Sequence, residues 1–222
     1  MAYFDQDFIK FFSELEQNNH KDWFQRNKKL YEKKVKLPFR VFVAALIDTL
    51  ENKWGSIPYD AKDFILRINR DIRFSKDKTP YKTHVEAMIS AYGKKEYTRP
   101  GIFLQVNHKG LKLYTGSYML EKENLYRVRT EIVNNMKEFE KLTTDATFLS
   151  VFGDILGDKH KRIDKEFREA AEKQPLIFHK GFYYGFELDE KALLKDDLIE
   201  VMMEKFAAAD GMNAFLDRVL GG

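Results

Sequence analysis

The spacing of apolar residues predicts helices at the start of the chain. Apolar positions three and four residues apart form one helical face; they are Phe8, Phe11, Phe12 and Leu15. Asp5 or Asp7 is a suitable N-cap for this helix, and Asn18-Asn19 ends it. A second helix is predicted to open at Asp22. A third is predicted to open at Pro38, because a proline in the first turn loses no helical hydrogen bond.

The middle of the chain changes to a period of two. Phe64, Leu66 and Ile68 alternate with Ile65, Arg67 and Asn69, which predicts a half-buried strand that ends near Asn69. Residues 85–92, 102–106 and 111–115 are further strand candidates, and the turn residues 107–110 predict a hairpin between the last two. Because no helix separates these strands, antiparallel pairing is favoured.

Helical spacing returns after the strands. Residues 121–142 are predicted to form one helix and residues 182–186 a short strand. Asp189 and Asp196 are predicted to cap C-terminal helices. No repeat or linker interrupts the chain. The pattern therefore predicts a single α+β domain over residues 1–222, with a central antiparallel sheet flanked by N-terminal and C-terminal helices.

Composition narrows the chemistry. The chain contains no cysteine, which excludes disulfides, thiolate metal sites and cysteine nucleophiles. Its five histidines have no recognised metal-ligand spacing, so we predict no metal site, and no glycine-rich phosphate loop identifies a cofactor. The first twelve residues lack the basic start and apolar stretch of a signal peptide, and no apolar run is long enough to span a membrane. We therefore expect a cytoplasmic protein without a membrane partner.

Charge is concentrated in one segment. The whole chain carries a formal charge of +3, which is too balanced for a protein that coats nucleic acid. Residues 62–84 contain seven Lys or Arg and three Asp, so this segment carries +4 and the rest of the chain −1. The net positive charge therefore lies in 23 residues that include the first predicted strand and the loop after it.

The candidate site is the polar loop in this segment. Its proposed ligand-binding residues are Arg67, Arg70, Asp71, Arg73, Asp77, Lys78, Tyr81, Lys82 and His84. Arg67, Arg73 and either Lys78 or Lys82 are expected to converge on an oxyanion, because guanidinium and ammonium groups suit phosphate and carboxylate. The two aspartates would orient the cations or act as acid/base groups, and His84 would move a proton.

The function expected from this loop is binding of a small phosphorylated or carboxylated ligand, with or without a reaction on it. Two alternatives stay open. The basic segment contacts nucleic acid, or the interleaved Arg and Asp residues form a salt-bridged scaffold in a protein-interaction module. We further expect Asp71 to order the loop by ion pairing, and its removal to destabilise the fold markedly if the pair is buried.

A family resemblance emerges from the longest motif. The central string runs from Arg67 through Arg70-Asp71, Arg73-Phe74 and Asp77-Lys78 to Pro80-Tyr81-Lys82. Together with Asp22-Trp23-Phe24 and Gly116-Ser117-Tyr118, it resembles the bacterial domain-of-unknown-function family numbered 2461. The resemblance covers nearly the whole chain. It implies no activity, cofactor or catalytic residue, so no role is transferred to a particular position.

Overall fold

The computed structural model describes residues 1–93, 96 and 98–221. The N-terminal helices are α1 (Gln6–Gln17), α2 (Lys21–Tyr31), α3 (Leu37–Trp54) and α4 (Ala61–Phe64), with a π-helical turn, Glu32–Lys36, between α2 and α3. The middle helices are α5 (Lys122–Asn134), α6 (Met136–Thr143), α7 (Ala146–Phe152) and α8 (Arg168–Lys173). The last helices are α9 (Glu190–Leu193), α10 (Leu198–Ala207) and α11 (Asp210–Leu220), and short 3₁₀ turns lie at Lys165–Phe167 and Pro175–Phe178.

Local signals set the ends of the N-terminal helices. The Asp5 carboxylate accepts a hydrogen bond from the Phe8 amide at 3.1 Å, and Asn18 caps the other end of α1. His20 caps α2 one turn before Trp23, so this helix begins one residue ahead of the predicted Asp22. Pro38 lies in the first turn of α3, as its missing amide hydrogen allows.

The four strands form one sheet, which confirms the predicted α+β class. They are β1 (Val85–Ile89), β2 (Ile102–Asn107), β3 (Gly110–Ser117) and β4 (Phe182–Asp189), in the antiparallel order β1-β2-β3-β4. The predicted hairpin joins β2 to β3. Gly110 opens β3 with φ of 140°, and a Cβ there would lie 2.0 Å from the Leu188 carbonyl oxygen. Only glycine fits this position.

The prediction of a regular strand over residues 64–69 is wrong. Phe64 ends the short helix α4, and the following residues make two isolated antiparallel bridges, Ile65 with Ala87 and Asn69 with Tyr81. Phe64 and Ile68 are buried, whereas Leu66 is exposed. The segment is therefore an extended arm beside β1 whose side chains do not alternate between core and solvent.

The predicted helix over residues 121–142 is divided. Asn135 has φ of −125° and ψ of 41°, which ends α5 and precedes α6. Its side-chain amide donates to Glu131 at 2.9 Å. Asparagine is unfavourable in helix interiors because its side chain competes for local hydrogen bonds. The chain therefore leaves the helical conformation at Asn135, although the apolar spacing predicts one continuous helix.

The chain forms two compact units. The first contains Met1–Lys94, Phe103–Leu113 and Glu187–Val201, and its core includes the packed rings of Phe4, Phe8 and Phe42. All nine candidate site residues belong to this unit. The prediction of a single domain over residues 1–222 stays a prediction.

The second unit contains Lys95–Ile102, Tyr114–Phe186 and Met202–Gly222. Its core includes the rings of Phe148, Phe152 and Tyr184, and the Tyr184 hydroxyl donates to Asn213 Oδ1 at 2.6 Å. Within the described residues, no helix of either unit combines the length and apolar character that crossing a membrane requires.

Candidate functional site

A bulge positions the residues around the start of β1. Between the bridges Ile65–Ala87 and Asn69–Tyr81, three residues of the arm, 66–68, face five residues, 82–86. The Lys82 amide donates to the Ile68 carbonyl at 2.8 Å, and the Leu66 amide donates to the Glu86 carbonyl at 2.9 Å. The two excess residues fold into the stretch around Thr83. Extra residues of this kind redirect side chains from the regular strand pattern.

Arg70 and Asp77 fasten the base of the loop that follows the arm. The Arg70 guanidinium donates to the Asp77 carboxylate, to the Thr79 hydroxyl and, at 3.1 Å, to the Thr79 carbonyl. The Thr79 amide donates to Asp77 Oδ1 at 2.9 Å. The hydrogen bond from the Thr79 amide and the contact with the Arg70 guanidinium hold the pKa of the Asp77 carboxyl below its ordinary value. Both residues are therefore engaged in closing the loop.

The loop tip is braced by shorter-range contacts. Arg73 binds the Asp71 carboxylate with two N–H groups, at 3.0 and 2.7 Å. This pairing lowers the pKa of Asp71, and the charge of Arg67 lowers it further. Lys78 donates to the Ile72 carbonyl at 2.9 Å. Phe74, at the tip, is 95% exposed, and the Arg73 guanidinium lies 5.8 Å from its ring centre. The tip thus presents an aromatic ring to solvent.

The Asp71–Arg73 pair is exposed, which changes its expected contribution to stability. We expect Asp71→Ala to leave the urea midpoint of unfolding close to that of the wild type, because exposed ion pairs contribute little. Arg70→Ala should lower the midpoint more, since three contacts are lost at a side chain that is 26% exposed. Equilibrium urea unfolding of both variants measures this difference. A larger loss for Asp71→Ala than for Arg70→Ala would contradict it.

Tyr81 lies in the core, where it anchors the end of the loop. Its ring stacks on Phe24 with centroids 4.0 Å apart and planes 15° apart. Asn19 donates to the Tyr81 carbonyl at 2.8 Å and accepts from the Tyr81 amide at 3.1 Å. Asn19 therefore fixes the backbone immediately before Lys82.

Glu86 organises a polar cluster on β1 and β2. Its side chain is buried, and its carboxylate contacts Lys82 through Oε2 and His84 Nε2 through Oε1 at 2.7 Å. Gln105 on β2 donates to Glu86 Oε1 at 3.2 Å. We call Lys82, His84, Glu86 and Gln105 the Glu86 cluster. Burial raises the pKa of Glu86, but its bonds with His84 and Lys82 outweigh this effect and lower the pKa to about 2.

The Glu86 cluster keeps unused hydrogen-bonding capacity. Lys82 and His84 are each 25% exposed. Lysine has three N–H donors, and the contact with Glu86 uses one of them. His84 Nδ1 has no hydrogen-bond partner in the part of the chain that the structure describes. Two N–H donors and one ring nitrogen are thus free to contact a ligand.

The structure divides the nine predicted residues into separate groups. Arg70 binds Asp77, Asp71 binds Arg73, and Lys82 and His84 share Glu86. Lys78 is held by a backbone carbonyl and Tyr81 by the core. Arg67 is exposed, and among the described residues it has no hydrogen bond or ion pair.

The sequence prediction missed Glu86 and Gln105. One signal for Glu86 was present, because an acid interrupts the apolar run of β1 two residues after His84 and so shares its face. Gln105 had no such signal, since it comes from the neighbouring strand. In the described part of the chain, no three His, Asp or Glu side chains are grouped so that they could hold a metal ion.

A family model matches residues 7–215 of the chain. Its description is conserved hypothetical protein, DUF2461, and the chain belongs to this family. The match confirms the resemblance drawn from the Arg67-to-Lys82 motif. A search of the curated proteins found no match.

Proposed function

We propose that this protein binds a small phosphorylated or carboxylated ligand at Lys82 and His84. The observation that carries the proposal is the buried Glu86 carboxylate, which holds two basic side chains in place while leaving them partly open to solvent. Charged side chains seldom lie buried unless they are paired. The buried Glu86 carboxylate is paired with Lys82 and His84, and this pairing fixes the positions of the two basic groups. Fixed groups bind a ligand with a smaller loss of entropy.

The surrounding charge supports an anionic ligand. Glu86 neutralises one positive charge, but Arg67 and Lys76 are exposed in the same segment, and residues 62–84 carry +4 in total. A concentrated positive potential raises the local concentration of anions. Lys82 supplies a point charge with two remaining donors, which suits a phosphate or carboxylate oxygen.

The proposal predicts a ligand-dependent thermal shift. An anion at 100 times its dissociation constant stabilises the fold by about 2.7 kcal/mol. For a domain of this size, the melting temperature rises by roughly 5–10 °C. The screen compares phosphate, nucleotides and dicarboxylates with chloride at equal ionic strength.

Matched variants locate the effect. Lys82→Gln keeps a donor for Glu86 but removes the charge, and it should lose the shift. Lys10→Ala removes an exposed positive charge from α1, outside the Glu86 cluster, and should keep the shift. If no anion raises the melting temperature above the chloride control, the proposal is overturned.

A second candidate function is a macromolecular contact at the loop tip, favoured by the exposure of Phe74 beside Arg73. Aromatic and arginine side chains are enriched at protein interfaces, and exposed rings also stack on unpaired bases. Phe74→Ser separates the two candidates. It should leave the anion-induced shift unchanged if the ligand binds at Lys82 and His84, and it should weaken binding of a protein or nucleic acid that docks at the tip.

A further inference from the structure

The hydrogen bonds of Glu86 determine which nitrogen of His84 carries the proton. The Glu86 carboxylate is ionised at neutral pH because its pKa is about 2, and an ionised carboxylate only accepts hydrogen bonds. His84 Nε2 lies 2.7 Å from this carboxylate and must therefore be its N–H donor. The Gln105 amide nitrogen lies 3.5 Å from Nε2, too far for a strong competing bond. Nδ1 of the neutral ring is consequently an acceptor.

The partly exposed side chains of the cluster thus offer both N–H donors and one acceptor. Lys82 contributes donors, and His84 Nδ1 contributes a lone pair. We propose that the Glu86 cluster selects anions that carry a hydroxyl hydrogen next to their charged oxygens. Monohydrogen phosphate and 2-hydroxycarboxylates have this chemistry. The inference rests on the proposed function and specifies the ligand class of the same site.

Sulfate is the matched comparison for phosphate. At pH 8 both are mainly tetrahedral dianions of nearly equal size, but sulfate has no hydroxyl hydrogen. Its oxygen would face the Nδ1 lone pair, and a site that hydrogen-bonds a ligand hydroxyl discriminates against an analogue that lacks it. Because the site is partly solvated, we expect phosphate to bind about 10-fold more tightly than sulfate.

Isothermal titration calorimetry at pH 8, well above the pKa of an ordinary histidine side chain, measures this selectivity. Phosphate is compared with sulfate, and glycolate with acetate, at constant ionic strength. The first pair tests an inorganic ligand and the second an organic one. A preference of about 10-fold for the hydroxyl-bearing anion in either pair supports the inference. The pair that shows it identifies whether the site accepts an inorganic or an organic anion.

Glu86→Gln tests the positioning role of Glu86. A glutamine amide can accept from or donate to Nε2, so the ring is no longer held in one tautomer. The phosphate-to-sulfate ratio should fall toward 1 in this variant, provided that circular dichroism shows a folded protein. His84→Ala removes the acceptor and should abolish the preference, while Lys82 still attracts both anions.

The outcomes separate the inference from the proposed function. Equal binding of phosphate and sulfate, and of glycolate and acetate, overturns the inference. If Lys82→Gln then abolishes that unselective binding, the proposed function still stands. If none of the four anions binds to the wild type while it is folded, both are overturned. A preference that survives in His84→Ala also overturns the inference, since another group would then recognise the hydroxyl.

Discussion

Replacing Tyr81 with alanine is expected to lower the free energy of unfolding by about 3–5 kcal/mol, the usual cost of truncating a buried aromatic ring. The Tyr81 side chain is 4% exposed, and its ring stacks on Phe24 with centroids 4.0 Å apart. Truncation removes this contact and leaves a cavity beside Phe24. Because Tyr81 directly precedes Lys82, the variant should also lose the anion-induced thermal shift. Urea unfolding and the ligand screen measure the two effects.

Tyr81→Phe is the matched control. In the described residues, the Tyr81 hydroxyl has no hydrogen-bond partner, so only the ring contributes to packing. This variant should unfold within about 0.5 kcal/mol of the wild type and keep the ligand effect. If Phe and Ala substitutions cost the same, the hydroxyl and not the ring holds the segment, and the packing argument fails.

The second large effect is expected at Glu86. Its pKa falls from an ordinary 4.5 to about 2 on folding, which corresponds to about 3 kcal/mol of stability at pH 7. Glu86→Gln resembles the protonated residue and should lose about this amount, because Lys82 and His84 then have no charged partner. Urea unfolding at pH 7 measures the loss. A loss below 1 kcal/mol would show that the carboxylate contributes little.

The same comparison predicts a pH dependence. The folded-state pKa of Glu86 is lower than the unfolded value, so its contribution is present above pH 4.5 and is lost as the pH falls toward 2. The stability difference between the wild type and Glu86→Gln should therefore be largest near pH 7 and shrink below pH 4.5. Unfolding curves at pH 7, 4 and 3 test this. A difference that does not change with pH would mean that the variant acts through packing.

Local signals were sufficient to predict helix α1 and the hairpin between β2 and β3. The spacing of the Phe residues in α1, with Asp5 as its cap, depends only on residues within four positions of each other. The hairpin between β2 and β3 is similarly local, since the turn at Asn107–Gly110 lies between two alternating strands. Such elements are predictable because their stabilising contacts are close in sequence.

The candidate site depends on pairing that the sequence does not display. The bulge arises because three residues of the arm face five residues before Ala87, and no single residue marks that mismatch. It brings Lys82 to Glu86, while Gln105 joins from the neighbouring strand. The positive segment was therefore visible in the sequence, but the division of its basic side chains between loop bracing and the Glu86 cluster was not.

NMR of the histidine side chains during phosphate titration tests the central claim most directly. The chain has five histidines, and His84→Gln identifies the His84 signals in ¹⁵N-histidine-labelled protein. If the ligand binds at the Glu86 cluster, phosphate shifts the His84 ring signals of the wild type saturably. The same shift is expected in Lys10→Ala, and no shift is expected in Lys82→Gln. If phosphate binds the wild type while the His84 signals stay unchanged, the ligand lies elsewhere and the proposed site is contradicted.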